Sequence, residues 1–246
     1  MTAALQILFV LLFIGVNALN PFYVKAQRNG ANPKSLLLKM LCATGYLATG
    51  LIAVILGGGF GTTFPKLLFL ALFLCWIGDL FLHLWQHKIL PAVGFLGFLS
   101  AHFVFIAAFT AVIGAIRPER SFFSVGLLCA VAGFDLFFLL FSHFAGTKVK
   151  GLLAVPLLLY ATVITTMLYK AVEMGAVCIG AGRPHAFFAL LAAGLGALCF
   201  VASDFTIAML MFNEKQKKNY PLKMFNMVTY FLATLLLSAL PALVAV

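Results

Sequence analysis

Residues 185–212 read HAFFALLAAGLGALCFVASDFTIAMLMF, and Asp204 is the only Asp, Glu, Lys or Arg among them. A helix needs about 20 consecutive apolar residues to cross a bilayer, so this run is typical of a membrane-spanning helix. A carboxylate at the bilayer centre costs roughly 2.5–3.5 kcal/mol on insertion scales and is usually kept for a function. Asp204 is therefore both a sign of the membrane fold and a candidate site residue.

Similar apolar runs recur along the chain, which is 64% hydrophobic and 9% charged. Soluble domains carry about 25% charged residues. We predict an all-α polytopic membrane protein, a single bundle of eight transmembrane helices forming one domain over residues 1–246. The first run has no basic segment before it and no small-residue cleavage site after it, so we expect a retained span. The predicted spans are 3–22, 35–56, 64–86, 89–115, 122–142, 150–172, 185–212 and 222–245.

The net charge of +10 does not indicate nucleic-acid binding, because the basic residues lie in short loops and form no continuous face. Membrane lipids with anionic headgroups are the expected partners. The five cysteines have no C-x-x-C spacing, so no disulfide framework and no zinc site is predicted. No cofactor is predicted either, and the sequence leaves the oligomeric state open.

The distribution of Lys and Arg predicts the orientation. Eleven lie in or beside the odd-numbered connections and five in or beside the even-numbered ones. Cytoplasmic loops are enriched in these residues, so the odd connections are expected to face the cytoplasm. Asp79, Asp135 and Asp204 then lie eight or nine residues before the cytoplasmic ends of three parallel spans. This places them roughly 12–14 Å deep at about 1.5 Å per residue, but rotation about each helix axis is not predicted.

Polar side chains from neighbouring positions and spans reach a similar zone. They are Ser203, Tyr160, Tyr230, His102 and Asn213, the last at the end of its helix. We predict that they form a polar chamber open to the cytoplasmic leaflet. The alternative for each tyrosine is an interfacial aromatic belt, and for His102 it is a packed core histidine with a hydrogen bond.

Asp79, His83 and His87 form a separate pattern at i, i+4 and i+8, which is one helical face. Histidines four residues apart can ligate a metal. His87 lies beside Lys88 at the predicted membrane edge, where a histidine needs no metal. We therefore predict no metal site and keep the metal reading as an alternative.

Several segments, taken in order, carry a family resemblance. They are Gly78-Asp79 with Leu82, GFLGFLSAHFVFIAAF around His102, VPLLLYATVITTMLYKA with Tyr160, SDFTIAMLMF with Asp204, and TYFLATLLLSAL with Tyr230. On these segments, from about residue 34 to the C-terminus, the chain resembles the YhhN lysoplasmalogenase family of multispan membrane hydrolases. Two positions depart from the common family pattern: Phe105 stands in place of a Tyr and Thr234 in place of a Gln. Asp135 matches no family motif.

The resemblance implies hydrolysis of the vinyl ether bond of a lysoplasmalogen, which releases a fatty aldehyde and glycerophosphoethanolamine or glycerophosphocholine. Protonation of the vinyl β-carbon gives an oxocarbenium ion, to which water adds. This chemistry needs one carboxylic acid and one carboxylate, as in glycosidases. We expect Asp79 and Asp204 to be this pair, with the acid and base roles unassigned.

The remaining polar residues are expected to hold the substrate. Tyr160, Tyr230, Ser203 and His102 would orient water or the glycerol oxygens. Lys34, Lys39 and Lys223, near the same mouth, would contact the lipid phosphate. Two other functions stay open. One is a proton-coupled transporter, because membrane carboxylates also relay protons. The other is a metal-dependent lipid hydrolase that uses the Asp79 and histidine face.

Overall fold

The computed structural model describes residues 2–28, 30, 32–84, 89–144 and 154–244, and no β-strand occurs among them. Helices account for most of these residues. They are α1 (Thr2–Ala26), α2 (Pro33–Leu56), α3 (Thr63–His83), α4 (Leu90–Ile116), α5 (Val125–Phe144), α6 (Ala154–Gly180), α7 (Ala186–Phe212), α8 (Tyr220–Ser238) and the short α9 (Leu240–Leu243).

Seven of these helices are long and apolar enough to cross a membrane, and α5 contributes a shorter apolar stretch at 125–141. The predicted all-α polytopic bundle is therefore confirmed, with α1 to α8 at the positions of the eight predicted spans. The last span is divided, because α8 ends at Ser238 and α9 begins at Leu240.

The largest difference from the predicted boundaries concerns α6, which continues to Gly180 rather than ending at 172. The orientation count includes Lys170 among the five residues in or beside the even-numbered connections, and the structure does not place it at a helix end. Lys170 is buried inside α6, with Nζ 2.8 Å from Oε2 of Glu173, three residues further along the helix. Glu173 also accepts a hydrogen bond from Arg120 at 3.0 Å. Because Glu173 compensates these cations, the charged residues do not end the helix.

Lys39 is likewise buried, inside α2. Lys39 and Lys170 are therefore not loop residues. Lys39 is removed from the count for the odd-numbered connections, and Lys170 is removed from the count for the even-numbered ones. The count changes from eleven and five to ten and four. Its direction is unchanged, and the orientation stays a prediction.

The N-caps of α2 and α8 fix where two helices begin that carry residues of the site described below. Asn32 begins α2, since its side chain accepts the Ser35 N–H at 2.9 Å while the Ser35 hydroxyl accepts the Asn32 N–H at 3.0 Å. Asn219 begins α8 and accepts the Leu222 N–H at 3.0 Å. Each cap satisfies backbone donors that the first helical turn leaves unpaired.

Close packing between α3 and α4 depends on glycine. A Cβ atom at Gly97 of α4 would lie 3.3 Å from the Cα of Gly78 of α3, next to Asp79. Small residues let membrane helices approach closely, and here the close approach lies beside the polar site. The other extensive pairings are α1 with α2, α6 with α7, α7 with α8, and α4 with α6. Among the described residues, the backbone of α5 packs only on α6.

Candidate active site

Helices α2 to α8 all contribute to the wall of a cavity of about 520 Å³. Most of the wall is apolar, and phenylalanines come from α4, α5 and α7. The residues with polar side chains in the wall are Lys39, Asp79, Tyr160, Ser203, Asp204, Asn226 and Tyr230. The structure thus brings together two of the three membrane aspartates and four other predicted site residues.

Asp79 is the centre of the first polar group. Its Oδ1 lies 3.0 Å from the ammonium of Lys39, which also donates to the Asp79 backbone carbonyl at 2.9 Å. The hydroxyls of Tyr46 and Tyr230 both donate to Oδ2, at 3.1 and 2.6 Å. The Asp79 side chain is 1% exposed. Three donors, one of them cationic, therefore surround this carboxyl group.

Asp204 is the centre of the second group. The hydroxyl of Tyr160 donates to its Oδ2 at 2.9 Å, and Nε2 of His102 lies 3.1 Å from the same oxygen. Tyr160 and His102 also contact each other at 3.1 Å. No described residue donates to Oδ1 of Asp204, and the side chain is 11% exposed. One oxygen of this carboxyl group is therefore held by the protein while the other remains available to a ligand.

Phe200 connects the two groups. Its buried ring makes edge contacts with His102, at a centroid distance of 4.7 Å, and with Tyr230, at 5.5 Å. Helices α7 and α8 are also joined at the site, because Asn226 donates to the carbonyl and hydroxyl of Ser203 at 2.7 and 2.9 Å. These contacts hold the Asp79 and Asp204 groups in one rigid arrangement around the cavity.

Asp135 lies apart from both groups. Its Oδ2 accepts a hydrogen bond from Thr162 at 2.8 Å, and its Oδ1 is buried without a hydrogen-bond partner among the described residues. It is not part of the cavity wall. Similar depth along parallel helices therefore did not bring all three aspartates to one site.

Four other predicted site residues lie outside the cavity wall, and one of them is Lys223 near the start of α8. His102 is fully buried behind Asp204, with Nδ1 3.2 Å from the sulfur of Met167. Asn213 lies at the C-terminal end of α7 and accepts the Lys215 N–H at 3.0 Å. Lys34 is exposed in the first turn of α2. The cavity thus contains the predicted carboxylate pair but only part of the predicted substrate-holding set.

The face that carries Asp79 and His83 does not form a cluster of metal ligands among the described residues. Nε2 of His83 lies 3.1 Å from the Ser35 hydroxyl, whereas Asp79 is bound by Lys39 and the tyrosines. His87, the third member of the pattern, lies outside the described residues.

Two site residues were missed by the sequence analysis, Tyr46 and Asn226. Both could have been found from helical periodicity. Tyr46 lies seven residues after Lys39 in the same apolar span, and Asn226 lies four residues before Tyr230. Each pair occupies one helical face. The sequence analysis also treated Lys39 only as a phosphate contact, since nothing in the sequence pairs α2 with α3.

The model of the YhhN family matches residues 34–240, which extend from the start of α2 to the first residue of α9. No curated protein and no solved structure matches the chain.

Proposed function

Since the chain belongs to the YhhN family, we propose that it hydrolyses the vinyl ether bond of lysoplasmalogens. The products are a fatty aldehyde and glycerophosphoethanolamine or glycerophosphocholine. The observation that carries this proposal is the pair of carboxyl groups in one apolar cavity, Asp79 fully bound by donors and Asp204 with one oxygen unbound.

The arrangement supports different roles for the two aspartates. In its acid form, Asp204 carries its proton on Oδ1, because Oδ2 already accepts from Tyr160 and faces His102. That proton can be given to a substrate in the cavity. Asp79 has no comparable position, since its neighbours Lys39, Tyr46 and Tyr230 all act as donors. Asp204 is therefore assigned as the acid and Asp79 as the carboxylate that stays ionised.

The reaction proceeds in three steps. Asp204 transfers its proton to the β-carbon of the vinyl ether, and the remaining positive charge is shared by the adjacent carbon and the ether oxygen. Water then adds to that carbon, and the Asp204 carboxylate accepts the proton that the water loses. The resulting hemiacetal breaks its bond to the glycerol oxygen. That oxygen takes the proton now held by Asp204, the hemiacetal hydroxyl gives its proton back to the Asp204 carboxylate, and the aldehyde leaves. This change from acid to base is the pattern that retaining glycosidases follow.

The surrounding residues support this chemistry. Tyr160 and His102 hold the Asp204 carboxylate in one orientation, which reduces the cost of aligning it with the substrate. Ser203 and Tyr230 offer hydroxyl groups in the cavity wall. The apolar wall excludes bulk water and fits an alkenyl chain. Asn213 and Lys34 are assigned to the substrate headgroup outside the cavity.

We further propose that the cavity faces the cytoplasmic leaflet, inside an inner or plasma membrane if the source is bacterial. The excess of Lys and Arg near the odd-numbered connections supports this orientation. Reporter fusions at the connection after α7 and at the C-terminus test it, and a cytoplasmic C-terminus would contradict it.

Product analysis tests the reaction directly. Purified protein is incubated with 1-alkenyl-glycerophosphoethanolamine, and the aldehyde is reduced at once to the alcohol so that it cannot exchange with solvent. In D₂O we expect one deuterium at the carbon next to the former aldehyde carbon. In H₂¹⁸O we expect the label in the alcohol and none in the glycerol product. The saturated 1-alkyl analogue serves as the control and is expected to release no product. Absence of aldehyde, or ¹⁸O in the glycerol, would overturn the proposal.

A further inference from the structure

Lys223 continues the cavity-lining face of α8 towards the start of that helix. Asn226, Met227 and Tyr230 line the cavity, and Lys223 precedes them at the spacing i, i+3, i+4 and i+7, which is one helical face. Lys223 is partly buried. Its position places an ammonium group beyond the Asn226 end of the cavity wall.

The charge of Lys223 is not compensated by an acidic residue in the described part of the chain. Its Nζ contacts only the backbone carbonyl of Gln27, at 3.4 Å. The other lysines with a buried or fixed ammonium differ, because Lys39 is paired with Asp79 and Lys170 with Glu173. A partly buried cation without a counter-charge favours binding of an anion.

His83 adds an unused acceptor in the same region. The single hydroxyl hydrogen of Ser35 is donated to the Asn32 carbonyl at 2.8 Å. We therefore assign Ser35 Oγ as the acceptor in its 3.1 Å contact with Nε2 of His83, which assigns the hydrogen of the neutral ring to Nε2. Nδ1 of the neutral ring is then an acceptor, and it is buried without a partner among the described residues.

Lys223 and His83 lie near each other and beside the cavity. Helix α1 links Lys223 to His83. The Tyr23 ring lies 6.2 Å from the His83 ring, measured between centroids, and the Tyr23 hydroxyl donates to Oε1 of Gln27 at 2.9 Å. Lys223 donates to the backbone carbonyl of the same Gln27 at 3.4 Å. His83 lies one helical turn after Asp79 and directly after Leu82, and both of those residues line the cavity. An uncompensated cation and an unused acceptor thus occur together beside the Asp79 end of the wall.

We propose that Lys223 and His83 form a glycerophosphate subsite, in which Lys223 binds the phosphate and His83 Nδ1 accepts the free sn-2 hydroxyl of a lysolipid. This inference rests on the proposed function and adds a site for the sn-2 hydroxyl beside the lysine expected to contact the phosphate. A phosphate diester offers only acceptors, which suits the ammonium, and a hydroxyl offers the donor that Nδ1 lacks. A lipid acylated at sn-2 has no such donor, so His83 selects lysolipids.

Binding of saturated ether analogues tests the subsite without any catalytic step. The probes are 1-O-hexadecyl-glycerophosphoethanolamine, its 2-O-methyl derivative and 1-O-hexadecylglycerol, titrated calorimetrically in uncharged detergent micelles. Lys223→Gln is expected to weaken binding of the phosphate-containing probe roughly tenfold to hundredfold and to leave hexadecylglycerol unchanged. Lys223→Arg keeps most of the affinity. Lys66→Gln, an exposed lysine at the opposite end of α3, is the matched control and has no effect.

The His83 part is tested by His83→Gln, since the glutamine amide can still donate to Ser35 but has no acceptor in place of Nδ1. Wild-type protein is expected to prefer the free hydroxyl over the 2-O-methyl ether by roughly tenfold, and the variant is expected to show no preference. Equal weakening of all probes by Lys223→Gln, or an unchanged hydroxyl preference in His83→Gln, would overturn the subsite.

Two further outcomes separate this inference from others. Displacement of the phosphate probe by phosphatidylglycerol at equal concentration would assign Lys223 to bulk anionic lipid and overturn its role in substrate binding. Probe binding that behaves as expected in a protein that releases no aldehyde would support the subsite and reject only the proposed reaction.

Discussion

Asp79 and Asp204 are carboxyl groups in the wall of one cavity, and each accepts a tyrosine hydroxyl, yet they differ in their other partners and in exposure. Asp79 is bound through both oxygens by one ammonium and two phenols, and it is 1% exposed. Asp204 is bound through one oxygen only and is 11% exposed. The first arrangement joins α2, α3 and α8 into one unit, whereas the second holds a carboxyl group ready to act on a ligand.

This difference indicates that a carboxylate inside a membrane can serve either the architecture or the chemistry of a protein. Asp79 and Lys39 compensate each other, so the pair adds little net charge to the cavity. In the described part of the chain, Asp204 has a histidine and a tyrosine as partners and no lysine or arginine. Under the proposed function, we expect activity to depend most on Asp204 and the architecture to depend most on Asp79.

The largest expected effect comes from Asp204→Asn. The amide has nearly the same size but cannot transfer a proton to carbon, so we expect kcat for aldehyde release to fall by about 10²–10⁴-fold. Thermal unfolding in detergent is expected to stay close to wild type. Asp135→Asn, which alters a carboxyl group outside the cavity, is the matched control and should retain activity. Equal loss in both variants would contradict the assigned role of Asp204.

The Asp79–Lys39 pair is tested by single and double replacement. Asp79→Asn or Lys39→Met alone leaves one buried charge unpaired, which is expected to destabilise the protein by about 3–5 kcal/mol. The double variant removes both charges and should recover most of this loss, as measured by denaturant unfolding in micelles. If Asp79 mainly holds the architecture, aldehyde release also recovers in the double variant. A stable but inactive double variant would show that the Asp79 charge itself takes part in the reaction.

Single tyrosine replacements test the roles of the Asp204 group and the Asp79 group separately. Tyr160→Phe removes the hydroxyl that orients Asp204, and loss of a hydrogen bond to a charged group costs about 1.5–3 kcal/mol. We expect roughly a tenfold to hundredfold fall in kcat with little change in KM. Tyr46→Phe removes one of three donors to Asp79 and is expected to lower stability while kcat stays within about threefold, since Asp79 does not transfer a proton. The reverse result would exchange the roles of the two aspartates.

The smallest effect is expected from the glycine contact beside Asp79. Gly97→Ala places a Cβ atom 3.3 Å from the Cα of Gly78, and such overpacking costs about 1–3 kcal/mol. Gly114→Ala is the matched control on the same helix, because nothing lies within 4 Å of its added Cβ. It should be neutral or slightly stabilising, as alanine favours helix. Thermal unfolding of the two variants compares these costs, and equal midpoints would argue against a close contact between α3 and α4.

Much of the fold follows from hydropathy, and particular residues explain where that approach failed. An apolar run of the required length has one stable form in lipid, a helix, because its backbone groups must be paired internally. The end of α6 was missed because Glu173 follows the predicted end at 172 and looks like a loop residue, whereas its ion pair with Lys170 allows both to be buried in the helix. Tyr46 was missed for a related reason, since its role depends on α3 lying beside α2.

The sequence by itself determined the number and approximate position of the helices, and it identified Asp79 and Asp204 as candidates for one site. It predicted the same depth for Asp135, although Asp135 matched no family motif. Only the tertiary structure showed which side chains share a cavity, with Asp79 and Asp204 in one cavity wall and Asp135 against Thr162. The physical reason is that chain position sets how far along a helix a residue lies, whereas packing between helices sets the direction in which its side chain points.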